Sequence, residues 1–156
     1  MSARTNSKAA AIRSLEIMST GTRADFEAVI HPDARNRESL HEPPTTRLRG
    51  PHGFYSTALW LRTAFADMRH EIRHAVADED LVCLDTIMIG RQVGSFVVYN
   101  TEGEVDQVFP GTGKCFSVAQ THWMRMVDGM VIEHWAARDD LGRARQLGWL
   151  PPSTTS

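Results

Sequence analysis

GKCFSVAQTHWMRMVDGMVIEHWAARDDLGRARQLGW, residues 113–149, decides the fold. It reads as two long strands, 114–127 and 130–138, joined by a tight turn at Asp128-Gly129. A short helix follows from about Asp139 to Leu147, and Gly148 ends it. The strands are apolar, yet they carry Gln120, His122 and His134, with Asp139-Asp140 just beyond. Side chains alternate across a strand, so Gln120, His122, Met124 and Met126 share a face. On the second strand Ile132, His134, Ala136 and Arg138 share one, opposite Glu133 and Trp135. Two registers are open. A two-residue turn sets His122 across from Trp135. A three-residue turn with a left-handed Gly shifts the pairing by one and gathers Gln120, His122, His134 and Ala136 on a common face.

Upstream, the pattern is helical first. Ser7 caps a helix to about Met18, with Ile12, Leu15 and Met18 on one side, and Gly21 ends it. Thr22 with Asp25 makes a capping box for a second helix with Phe26, Val29 and Ile30 as its apolar stripe. Pro32 breaks that helix, and 31–51 is a polar stretch without periodicity, long enough to suggest a functional loop or lid. Pro51 opens a third helix in which Phe54, Ala58, Leu61, Phe65 and Met68 recur, while Trp60 lies off the stripe. From His70 the period is that of strands, with turns at Asp78–Asp80, at Asn100–Gly103 and at Pro110–Gly113. Helices followed by a run of antiparallel strands imply an α+β domain with helices on one face of a curved sheet. The organisation expected is a flexible N-terminus (1–10), a single domain (11–149) and a disordered tail (150–156).

The bulk properties are those of one globular domain: 156 residues, 42% hydrophobic, 23% charged, formal net charge -2. No basic excess argues for nucleic acid. No apolar run reaches the ~20 residues of a spanning helix. The start, MSARTNSKAAAIRS, has no apolar signal core. A soluble, cytoplasmic protein without membrane or nucleic-acid partners is expected. Cys83 and Cys115 sit in apolar runs and read as buried reduced thiols.

Two imidazoles and an amide on an apolar sheet suit an organic ligand with carbonyl or hydroxyl groups. Histidine moves protons near neutral pH, and an amide orients a carbonyl. The plainer reading is that these groups satisfy one another. His122 and His134 supply only two metal ligands, and a catalytic zinc needs a third, so no metal is expected. The chain has no Gly-rich phosphate loop after a strand and no Gly-x-Ser-x-Gly turn.

IHPD at 30–33 with Asn36, WLRTAF at 60–65, GRQVG at 90–94, QTHWMRMVDG at 120–129, and EHWAARDDLG with RQLG over 133–148 carry a resemblance to the SnoaL-like polyketide cyclases, often labelled ester cyclases. These belong to the conical α+β group that includes ketosteroid isomerase and nuclear transport factor. The resemblance spans about 12–149. It implies a curved antiparallel sheet wrapped around a deep pocket, closed by the helices. It favours the register with Gln120 and His122 inside. It implies cofactor-free chemistry on a small apolar or aromatic, even polycyclic, carbonyl compound, and self-association into a homodimer or higher oligomer.

In the cyclases an Asp on the last long strand transfers a proton while the substrate closes a ring by an intramolecular aldol step. The resemblance aligns that Asp with Ala136, which cannot transfer a proton. His122 and His134 are then the expected acid/base residues. Asp139 joins them if the chain bends back into the pocket; otherwise it caps the last helix. Asn36, Trp60 and Gln120 are the expected substrate-binding residues. A pocket that binds without turnover, a cofactor-independent hydroxylase and an isomerase are the alternatives. The segment 95–113, longer than in the family, is expected at the pocket rim or in a subunit contact.

Overall fold

The computed structural model describes residues 3–151. Three helices come first: α1 (Ala3–Thr20), α2 (Arg23–Val29) and, after β1 (Ile30–Asn36) and two 3-10 turns, α3 (Pro51–Ala64). Then come β2 (Phe65–Asp78), β3 (Leu81–Gln92), β4 (Phe96–Tyr99), β5 (Val105–Phe109), β6 (Cys115–Val127), β7 (Met130–Arg138) and α4 (Asp140–Leu147). The main sheet has the order β1-β7-β6-β3-β2, antiparallel except for the β1–β7 pair. A separate β4–β5 hairpin stands beside it. This is the expected α+β architecture, a curved sheet closed by helices. No helix among the described residues is long and apolar enough to cross a membrane.

Sheet and helices meet because β3 and β6 alternate cleanly. Val82, Leu84 and Met88 on β3 and Phe116, Val118, Met124 and Met126 on β6 are all buried on one face. One apolar cluster sets these strands against Leu15 and Ile17 of α1, Phe26 of α2 and Phe54 and Ala58 of α3. A second, around Phe65, Phe96, Phe116 and Leu147, closes the far end. The capping box at Thr22 and Asp25 is present.

Several local expectations are corrected. α1 starts at Ala3, before the expected Ser7 cap, and its buried side centres on Ala11, Ser14 and Leu15. Met1 and Ser2, and the tail from 152 on, lie outside the described residues. Phe65 and Met68 belong to β2, not to the third helix. Cys83 and Cys115 are free as expected, but Cys83 is half-buried and Cys115 exposed, because both take outward positions of alternating strands.

The largest correction concerns 31–51. Its first part is strand β1, and its remainder holds 3-10 turns at Arg37–His41 and Pro44–Arg47. Pro32 is tolerated in β1 because that strand is an edge and its ladder to β7 is interrupted between Ile30 and Arg35. Gly50 then turns the chain into α3 at φ 78, where a side chain would collide with the Pro32 carbonyl.

The register of the β6–β7 hairpin is settled in an unforeseen way. The turn has two residues, Asp128 (φ 52) and Gly129 (φ 73), with Val127 opposite Met130. That alone would turn His134 away from the core. The ladder then slips: Met126 faces Val131, but Arg125 faces Glu133, so Ile132 is an extra residue on β7. The bulge moves every later residue by one, and His122 faces Ala136 while Met124 faces His134. Val131 and His134, three apart, are thereby both buried.

Candidate functional site

The interruption in β1 lies opposite the same Ile132. Ile30 pairs with Val131, Arg35 with Glu133, and Asn36 with His134. Two irregularities at one point on β7 thus bring Asn36 from one side and His122 from the other against His134. The result is a continuous line of hydrogen bonds. His134 Nδ1 lies 2.9 Å from Asn36 Oδ1, His134 Nε2 lies 2.9 Å from His122 Nδ1, and His122 Nε2 lies 2.9 Å from Gln120 Oε1. Gln120 continues to Met88 Sδ at 3.2 Å.

The line forms one wall of a cavity of about 530 Å³ between the two apolar clusters. Four of the five polar residues expected to face the ligand therefore share this cavity: Asn36, Gln120, His122 and His134. Trp60 lines it too, fixed by a hydrogen bond from Nε1 to the Val97 carbonyl (3.0 Å) and by the Phe96 ring at 4.9 Å. Asp139 does not join them. It is exposed and caps α4, its Oδ1 accepting from the Gly142 N–H at 2.8 Å. The chain does not bend back as catalysis by Asp139 would require.

Proton positions follow from the ends of the line. Asn36 Oδ1 also accepts from the Glu38 N–H, which fixes the direction of the amide, so His134 donates from Nδ1. A neutral His134 then accepts at Nε2 from His122 Nδ1–H. A neutral His122 is left with a lone pair at Nε2, which the Gln120 Oε1 seated there cannot satisfy; exchanging the oxygen and nitrogen of that amide, which have the same outline, lets Gln120 donate to it. Burial, with help from neighbouring positive charge, holds the imidazoles in this neutral form. His134 is pushed down to about 3 by burial and then by Arg138, and His122 well below its ordinary value by burial and then by His134.

Several site residues carried no sequence signal that singled them out. His70, on β2, sits edge-on to His122 with ring centroids 5.6 Å apart, and burial pushes it down to about 4. Its Nδ1 has no partner. Its place follows from the alternation of β2, which the sequence reading began only at His70. Glu42, at the end of the first 3-10 turn, is buried in the cavity lining, its Oε2 accepting from Thr57 Oγ1 at 2.6 Å. It lay inside the stretch read as an irregular loop, where no periodicity says which side chains turn inward. Arg138 also lines the cavity and pairs with Glu38 at 2.6 Å. Among the described residues, no group of three or more His, Cys, Asp or Glu is placed to hold a metal ion.

The segment 95–113 contributes to the rim. Phe96 and Val98 of β4 line the cavity. Arg47 donates to the carbonyls of Asn100 and Thr101, and so ties the hairpin to the second 3-10 turn. Trp149 stacks on Phe109 and Phe96 and donates to Gln92 Oε1, clamping the hairpin to the sheet.

Comparison with known proteins places this arrangement. The family model described as SnoaL-like polyketide cyclase matches residues 9–147. The chain is 34% identical over 144 residues to the aklanonic acid methyl ester cyclase DnrD of Streptomyces peucetius, covering 90% of each. It is 32% identical over 130 residues to the nogalonic acid methyl ester cyclase of Streptomyces nogalater, covering 83% of this chain and 87% of that one. Among solved structures, TsrD from Streptomyces laurentii superposes with a TM-score of 0.76 at 24% identity, over 94% of this chain and 98% of that one. That last likeness is one of fold.

Proposed function

The chain belongs to the SnoaL-like polyketide cyclase family, and from that premise we propose that it closes a ring within an apolar, multi-ring carbonyl compound. The reaction is an intramolecular aldol step: a carbon next to a carbonyl loses a proton, and the enolate attacks a second carbonyl of the same molecule. A cavity of about 530 Å³ has the size and mixed lining of a small-molecule site. The observation that carries the reading is the hydrogen-bonded line from Asn36 through His134 and His122 to Gln120 along its wall.

Roles follow from the protonation of that line. Neutral imidazoles with every ring nitrogen engaged are weak bases, and they suit the oxygen end of the reaction better than the carbon end. In this reading His122 and His134 hold the two amides in place. The amide N–H groups of Asn36 and Gln120 left over from the line then meet the carbonyl oxygen as it becomes negative. Trp60 packs on the ring system. With Ala136 at the position that the resemblance gives to the related cyclases' proton-transferring Asp, this reading sends the carbon proton to another group.

The test is incubation with aklanonic acid methyl ester, the compound named for three of the relatives. The expected product has unchanged mass and altered chromatographic retention. Substrate bound but returned unchanged would support the second reading, a ligand-binding domain, which the internally engaged imidazoles favour. Self-association belongs to the same proposal, with sedimentation velocity as its test.

A further inference from the structure

Resting on the ring-closing reading above, we infer that Glu42 is the catalytic residue that takes the proton from the substrate carbon and returns it to the new hydroxyl. The step balances without a co-reactant. The Glu42 carboxylate accepts the proton, and the C–H electron pair becomes the enolate. The enolate carbon bonds to the second carbonyl carbon, whose π pair moves to oxygen. That oxygen then takes the proton back from Glu42. The product is an isomer of the substrate.

The placement of Glu42 carries the assignment. It is the one buried Asp or Glu among the described residues, at 6% exposure, and it lines the cavity that holds the histidine line. The other acids nearby are committed elsewhere. Glu38 and Asp140 also line the cavity, but Glu38 is paired with Arg138, and Asp140 is exposed and paired with Arg143; Asp139 caps α4. Glu42 itself is held on two sides: its backbone N–H donates to the Ser39 carbonyl, and Thr57 of α3 donates to its Oε2. This fixes a carboxyl group without neutralising it. Burial is costly for an unpaired carboxylate, and such a cost is tolerated where a group has chemistry to do.

The charged and titratable groups that share the cavity with it are Arg37, Glu38 and His41 of its own turn, His70 of β2, His122 of β6, His134 and Arg138 of β7, and Asp140 and Arg143 of α4. Burial pushes the Glu42 carboxyl up to about 7, while the Thr57 hydrogen bond and then Arg138 pull it down. Near neutral pH such a group both accepts and returns a proton, which a single acid/base residue must do. An anchoring role for the Glu42–Thr57 contact predicts none of this pH behaviour.

The experiment is steady-state kinetics with aklanonic acid methyl ester across about pH 5 to 9 for the wild-type, E42Q, E42D and T57V proteins, each with its melting temperature. E42Q is expected to lower kcat by about 10²- to 10⁴-fold with KM nearly unchanged, and E42D to restore part of it. T57V removes a bond that lowers the Glu42 pKa, so the acid limb of its rate profile is expected to move to higher pH. E42Q with wild-type kcat overturns the inference and leaves the ring-closing reading standing. Should E42Q not fold, the T57V limb decides: an upward shift supports Glu42, and an unmoved limb overturns it. Failure of the wild-type protein to convert the probe overturns the ring-closing reading and the inference with it.

Discussion

The cavity has two walls of opposite character. The strand wall, from β6 and β7, carries bases: His122 and His134, buried, each ring nitrogen in a hydrogen bond. The wall from the first 3-10 turn carries an acid, Glu42, buried with Thr57 as its close partner. Burial drives both toward their neutral forms, the imidazoles down and the carboxyl up. The outcomes differ because the starting values differ. Histidines that begin near neutrality are carried away from it, whereas a glutamate that begins well below is carried to it. One environment therefore disarms the residues with the familiar acid/base reputation and arms the one without it.

Breaking the strand wall should have a large effect on both rate and stability. His122→Ala removes the middle of the line, releasing Gln120 and leaving His134 Nε2 unpartnered. The expected loss in kcat with aklanonic acid methyl ester is about 10²- to 10³-fold, as for removal of an oxyanion donor. The unpaired buried group should also cost about 1–3 kcal/mol of stability in a denaturant titration. A variant that keeps wild-type kcat would show that the line serves packing alone.

The two walls should also answer pH in opposite senses. The Glu42 pKa rises on folding from 4.5 to about 7, so the stability it contributes is fully present below about pH 4.5 and is lost as pH rises through 7. E42Q lacks this loss and should gain about 3 kcal/mol on the wild-type protein between pH 5 and pH 8. The His134 pKa falls on folding from 6.5 to about 3, so its contribution is present above 6.5 and disappears as pH drops toward 3. Replacing His134 with Gln should therefore flatten the acid side of the stability curve. Denaturation midpoints at pH 4, 5 and 8 check both signs.

The smallest effect is expected outside the cavity. Asp139→Ala removes the N-cap of α4. It should cost about 1 kcal/mol of stability and leave kcat unchanged. A large drop in kcat would return Asp139 to the chemistry.

The same contrast explains what could be seen in the chain itself. On β6, thirteen residues alternate without a fault, so Gln120 and His122 are visibly neighbours on the buried face. The resemblance added the curved sheet and its pocket. The way the β7 register is reached was hidden, because it depends on one extra residue at Ile132 and not on the turn that the sequence advertises. β1 is not legible as a strand because Pro32 is a strand breaker except at an edge, and edges are a property of the assembled sheet. Glu42 was hidden for the same reason. A 3-10 turn has no long apolar period, and burial of its residues is decided by what packs over them, here Thr57 of α3.

The division of labour between the walls meets its most direct test in heavy water. Incubated in D2O with aklanonic acid methyl ester, the wild-type protein should form the ring-closed isomer and also replace the acidic carbon-bound proton of the unconverted compound with deuterium, as enolate takes a deuteron back before the ring closes. The E42Q protein should bind the compound and exchange nothing above the uncatalysed rate. Wild-type exchange by E42Q would contradict the account, since the carbon proton would then be taken by some group other than the carboxyl of Glu42.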